Sequence, residues 1–244
     1  MLVQRFLLGL FFVFISTPAL AETAVTKTSD GSWKGNIELG YVRTGGNTET
    51  ETLNTKAKAE SDQEIWRHKI DFEALKSSDQ DTTTAEKYFV SGQSDYKIKG
   101  KKNFLFVYLS YEDDRFSGYD YQITEAIGYG RRFYEENNMT LDLEIGPGAR
   151  QSKVEATGDT ENEMLVRGAG HYAWNITEHS KFSEDLTIEA GEEATVTKSI
   201  TGLTAKINSS LATKLTYTVK NTSKVPAGVK KTDTEFAVTL VYSF

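Results

Sequence analysis

His68, His171 and His179 are the histidines of this chain, the residue type whose unperturbed pKa best suits a general base near neutral pH, so a Ser-His-acid triad would have to be built on one of them. His68 shares parity with Trp66 and Ile70, and His179 falls in the turn-like stretch Asn175 to Ser180. His171, beside Arg167, is the one histidine that strand alternation turns toward an interior. No Gly-x-Ser-x-Gly elbow accompanies it, so a polar interior side chain is the plainer reading of His171. Glu112, Asp113, Asp114 and Asp120 form an acidic cluster able to attract a hard divalent cation, but their spacing is not that of a calcium loop. Gly45-Gly46 and Gly128/Gly130 precede no helix and read as turn and close-packing glycines rather than phosphate cradles. No catalytic, metal or cofactor site is expected.

The remaining chemistry is charge. On successive segments, charged residues occupy every second position. Lys56, Lys58, Arg67, Lys69, Asp71 and Glu73 fall on the inward face of the early segments. Arg132, Asp142, Glu144, Arg150 and Arg167 follow on the later ones. Two readings stay open. The charges can line a narrow aqueous path for ions or small solutes, or they can pair across the interior and plug it.

The elements that present these charges are strands. After a polar lead, 22–32, the chain breaks into twelve segments of period-two alternation, from Trp33 to Phe244. In the third, Trp66, His68, Ile70, Phe72 and Ala74 alternate with Arg67, Lys69, Asp71 and Glu73. Such a strand needs an apolar medium on one side and a polar one on the other. Glu125 breaks the apolar face of the sixth segment, and Pro147 should force a bulge or a strand end in the seventh. Gaps after odd segments, such as Ser77 to Thr83 and Asn221 to Lys231, are longer than those after even ones, which predicts short turns on one rim and longer loops on the other. Trp33, Trp66 and Trp174 fall at the short-turn ends, as a periplasmic aromatic girdle would.

Both chain ends point to export. Met1–Ala21 has a basic start at Arg5, an apolar stretch from Phe6 to Ile15, and a closing Ala-x-Ala, which reads as a cleaved signal peptide with Glu22 as the mature start. Val238, Leu240, Tyr242 and Phe244 keep a strand apolar on one face to its last residue, as in the terminal strand that barrel-assembly machinery recognises. Mean hydropathy is low, −0.46, although 11% of residues are aromatic. That suits a membrane barrel, where only alternate residues meet lipid. The charge of −7, or −8 once Arg5 leaves with the signal, argues against nucleic acid as a partner. The absence of cysteine leaves stability to the sheet. The expected partners are outer-membrane lipid and, during biogenesis, periplasmic chaperones and the assembly machinery. The fold expected is an all-β, antiparallel transmembrane barrel of about twelve strands, 33–244.

Several pieces, in this order, resemble a known family: Gly45-Gly46-Asn47-Thr48, Trp66-Arg67-His68, Tyr111 to Phe116, Gly128 to Arg132, Gly146 to Arg150, and Ser210-Leu211-Ala212 through Val238 to Phe244. They are similar to the YdiY-like family, outer-membrane proteins linked by name to salt induction and built on a domain of unknown function. The resemblance implies an outer-membrane barrel and brings no catalytic residues. A porin-like channel for small ions or solutes, linked through the family's naming to salt or osmotic stress, is the first expectation; a non-conducting structural or surface-binding barrel is the second and a barrel enzyme the third.

Overall fold

The computed structural model describes residues 31–43, 50–80, 82–98, 102–115, 117–134, 138–226 and 228–244. The expected signal segment, the lead up to residue 30, the Gly45-Gly46-Asn47 turn, Phe116 and parts of the turns at 99–101 and 135–137 lie outside them. Twelve strands follow in order: β1 Trp33–Arg43, β2 Thr50–Asp62, β3 Trp66–Asp79, β4 Thr82–Lys97, β5 Asn103–Asp114 and β6 Tyr119–Tyr134. The second half comprises β7 Met139–Val154, β8 Thr160–Asn175, β9 Ser180–Gly191, β10 Thr195–Lys206, β11 Leu211–Thr222 and β12 Thr232–Ser243. Each pairs antiparallel with its chain neighbours, and β12 returns to β1 to close the barrel.

Closure removes every sheet edge, which a strand needs if its backbone is to cross hydrocarbon. The seam runs from Asn36↔Ser243 to Leu39↔Leu240. Phe244 extends it, its N–H donating to the Gly35 carbonyl at 3.0 Å and its carbonyl accepting from Gly35 N–H at 3.1 Å. Above Leu39 the β1 ladder continues only with β2. There Glu235 of β12 reaches past β1, accepting from Asn54 Nδ2 at 2.6 Å and pairing with Lys56 at 3.4 Å.

The outer face is an apolar belt. Ile127 and Ile145 are about 60% exposed, and Leu39, Val107 and Leu240 are similarly bare. A water-soluble domain would bury such a continuous set, whereas lipid covers it without cost. Trp33, Trp66 and Trp174 lie exposed at the rim that carries both termini. Trp66 packs edge-on against Tyr96 there, and Tyr111 stacks on Tyr121 toward the opposite, loop rim.

Two expectations change. The predicted contrast between long and short connections is weaker than the gaps suggest. Ser77 to Thr83 is almost all strand, since β3 runs to Asp79 and β4 resumes at Thr82. Hairpins can continue beyond the lipid belt because polar alternation still satisfies the ladder in water, so among the described residues the long connection on that rim is the one between Thr222 and Thr232. Pro147, too, stays inside β7, paired to Val166 and with no register shift, although the β6–β7 ladder lapses beside it, passing from Ala126↔Gly148 to Tyr129↔Ile145.

Glu125 lies on the outer face between Leu109 and Ala149. It is midway between Tyr121 and Tyr129 along β6, and no partner meets it among the described residues. A carboxylate at that depth carries a desolvation penalty. Glu125→Leu is therefore expected to stabilise the barrel in phospholipid by about 1–2 kcal/mol, read as a higher urea midpoint in bilayer vesicles. A lower midpoint would show that the carboxylate has a stabilising role.

Candidate functional site: the charged lumen

Alternation turns the second face of every strand inward, and the interior divides into two unlike halves. The β3–β8 side is a packed wall. Phe104, Phe106 and Tyr108 of β5 point inward, where Phe104 and Phe106 are buried with Ala126. Their rings fit because the facing positions have no side chain. A Cβ on Gly130 would fall 2.3 Å from the Phe104 ring, and one on Gly128 would fall 2.7 Å from that of Phe106. Guanidinium groups lie over the aromatics, Arg67 at 4.9 Å from the Phe104 centroid and Arg167 at 4.1 Å from that of Tyr108.

Those arginines are neutralised in place. Arg67 donates from Nε to Asp95 at 2.7 Å and from Nη1 to Asp142 at 3.0 Å. Arg132 reaches both oxygens of Asp142, at 2.7 and 2.9 Å. Arg167 Nη1 donates to Glu144 at 3.3 Å, while Lys69 sits 3.7 Å from Asp95 and 3.8 Å from Glu144. Gln93 ties the layer together by donating to both Asp95 and Glu144 at 2.8 Å. Nearer the loop rim, Arg150 lies 3.4 Å from both Glu163 and Glu189. Multiple partners on each group are what make burial of so many charges tolerable.

The other half is wetter, and its ion pairs cross the lumen. Lys220 of β11 bonds Glu112 of β5, six strands away around a ring of twelve. Lys198 of β10 reaches Glu73 of β3 at 3.5 Å, and Lys58 of β2 lies 4.0 Å from Asp185 of β9 and 3.4 Å from Asp71. Lys87 joins Glu112 at 3.1 Å, and Lys214 joins Glu38 at 2.8 Å. These struts bridge the interior without filling it. A cavity of about 750 Å³ remains, lined from Lys34, Lys181 and Lys206 at the terminal rim to Lys198, Lys220 and Glu112 toward the loop rim.

The loop rim is partly covered. Residues 223–226 and 228–231 lean onto the β5–β6 turn on the opposite side, where a Cβ on Gly118 (φ +81°) would fall 3.0 Å from Pro226 and 3.1 Å from Val229. Lys224 in this loop pairs with Glu193 of the β9–β10 turn, and that hydrogen bond holds the Glu193 carboxyl below its ordinary range.

The remaining candidates separate. His171 does face the lumen, with Nδ1 at 2.8 Å from Asp185 and Nε2 at 3.9 Å from Glu144, so both ring nitrogens face carboxylates rather than a serine hydroxyl. His68 faces outward and bonds Ser94. The acidic cluster splits: Glu112 turns into the lumen, while Asp113, Asp114 and Asp120 stay within electrostatic reach of one another at the loop rim, Asp120 pairing with Lys153 at 2.8 Å. Among the described residues no group of His, Asp and Glu is placed to hold a metal ion. The aromatic wall was missed by sequence reasoning. Its signal was present in Phe104-Leu105-Phe106-Val107-Tyr108-Leu109, which is apolar on both faces and so must be covered on both.

Residues 37–244 match the family described as "Protein of unknown function, DUF481". The chain is 28% identical over 242 residues to the "Uncharacterized protein YdiY" of Escherichia coli K12, covering 95% of this chain and 93% of that one. Among solved structures it is similar to the NanC porin, with a TM-score of 0.53, 13% identity, and coverage of 86% of this chain and 98% of the porin. A Pseudomonas putida F1 outer-membrane channel superposes with a TM-score of 0.51 at 8% identity, covering 90% and 97% of the two chains. At such identities the likeness is one of fold, that of a porin-like outer-membrane barrel.

Proposed function

The chain belongs to the DUF481 family, whose description assigns no activity, and from its lumen we propose that it is a narrow porin-like channel for small ions and solutes. The observation that carries this reading is the cavity of about 750 Å³, which among the described residues is bridged by single side-chain pairs rather than filled. Charged and polar side chains line much of it, so an ion crossing would exchange hydration for side-chain contacts rather than meet hydrocarbon. Both ring nitrogens of His171 face carboxylates, and this supports reading the protein as a passage rather than an enzyme.

The rest of the biology belongs to the same proposal. Residues 1–21 act as a cleaved export signal. Periplasmic chaperones escort the chain, and assembly machinery recognises the strand bearing Val238, Leu240, Tyr242 and Phe244. The terminal rim then faces the periplasm, and the passage serves the envelope under salt or osmotic stress. A second reading, a non-conducting structural or surface-binding barrel, is favoured by the struts and by the loop 223–231 seated on Gly118.

Planar-bilayer recording of the folded protein decides between them. Replacing residues 223–231 with a tight turn is expected to raise unit conductance by about twofold, because it uncovers the loop-side mouth. A folded barrel that stays silent with and without that loop would leave the structural reading standing.

A further inference from the structure

Ion preference follows from which lumen charges remain uncommitted, and this inference rests on the channel reading above. Twelve lysine and arginine side chains face the cavity against eight carboxylates, inside a chain whose net charge is −7. The carboxylates are engaged. Glu112 accepts from two lysines, Asp142 from two arginines, and Glu38, 1% exposed, from Lys214. Asp95 and Glu144, fully covered behind the wall, offset Arg67 and Arg167.

The lysines are less committed. Lys34, Lys181 and Lys206 line the cavity at the terminal rim and form no ion pair among the described residues. Against them there stands Glu60, opposite Lys34 in the ladder. Farther in, Lys58 shares Asp185 with His171 and Lys220 shares Glu112 with Lys87, while Lys198 pairs with Glu73 alone; each ammonium has three N–H donors and so keeps some free beyond these pairs. An entering anion finds donors without displacing a partner, whereas beyond Glu60 a cation must compete with ammonium and guanidinium groups for the carboxylate oxygens. A surplus of one sign within low-dielectric walls also concentrates the opposite ion.

We propose that the lumen passes small anions, such as chloride and short carboxylates, in preference to cations. Lys34, Lys181 and Lys206 form the entry cluster, and Lys58, Lys198 and Lys220 are the successive donors beyond it.

The test is the reversal potential of the folded barrel in a planar bilayer under a potassium chloride gradient. The expected chloride-to-potassium permeability ratio is about three or more. The combined variant Lys34→Gln/Lys181→Gln/Lys206→Gln changes exposed rim side chains and should fold. It should lower the ratio by about twofold while keeping a measurable current, and Glu60→Gln should raise it. A reversal potential of cation-selective sign, or a ratio unmoved by the triple variant, overturns the anion preference and leaves the channel reading intact. A folded wild-type barrel that carries no current overturns both.

Discussion

Gly146→Ala is expected to yield no folded barrel. Gly146 of β7 faces Gly128 of β6, and the two backbones approach until their Cα atoms nearly touch the space a side chain would need. A Cβ on Gly146 would lie 2.0 Å from the Ile127 carbonyl oxygen and 2.6 Å from Gly128 Cα. Neither obstacle is a flexible side chain that could swing aside. Relief requires the β6 and β7 backbones to separate. That movement would disturb the seat of the Phe106 ring, since the space beside Gly128 is also the space into which Phe106 packs. The penalty combines overpacking with ladder loss, and we expect it to exceed about 4 kcal/mol. The measurement is the heat-modifiable gel shift of refolded protein, which should be absent. Gly92→Ala is the control, because a Cβ there meets nothing within 4 Å. It should fold with a stability within about 0.5 kcal/mol of the parent. A normally folding Gly146→Ala would contradict the close approach of β6 and β7.

Arg67→Met should be the most damaging single change among the lumen charges. Arg67 joins Asp95 and Asp142, which come from β4 and β7, and its guanidinium lies on Phe104. Methionine keeps much of the apolar stem but leaves Asp95, with no exposed side chain, short of its strongest partner. Breaking a buried pair from one side costs about 3–5 kcal/mol. Replacing both partners, as in Arg67→Met/Asp95→Leu, should recover most of that loss because no buried charge is stranded. Urea unfolding in detergent would show the single variant with a lower midpoint at unchanged slope. If the single and double variants lose stability equally, Asp95 is not held by Arg67 and the wall is not the unit described.

The strand pattern was legible in the sequence because the two faces of each strand meet different media. Arg67, Lys69, Asp71 and Glu73 could only be inward once Trp66, Ile70 and Phe72 were given to lipid. That logic gives the facing of a side chain but not its partner. Lys220 and Glu112 are 108 positions apart and meet only because a twelve-strand ring places β5 opposite β11. The stagger that sets their relative height is a property of closure, not of either strand. Pro147 shows the reverse failure. The expected bulge or strand end gave way to a milder outcome: β7 continues along β8, and only its ladder to β6 lapses, at the point where Gly146 and Gly128 crowd the two backbones together. The lumen wall escaped notice for a third reason: a strand read by its lipid face alone, as Leu105, Val107 and Leu109, hides what Phe104, Phe106 and Tyr108 do behind it.

The central claim is that current passes through a lumen narrowed by ion pairs that cross it, and the cysteine-free chain permits a direct test. Lys198→Cys places a single thiol at the strut to Glu73, on the cavity surface. Single-channel current would be recorded before and after adding a small methanethiosulfonate reagent to the bath. The account predicts an open channel whose current falls in one step on modification, while the parent protein is unaffected. Steady current that ignores a confirmed modification at Cys in place of Lys198 would contradict it, because ions would then be passing by some other route.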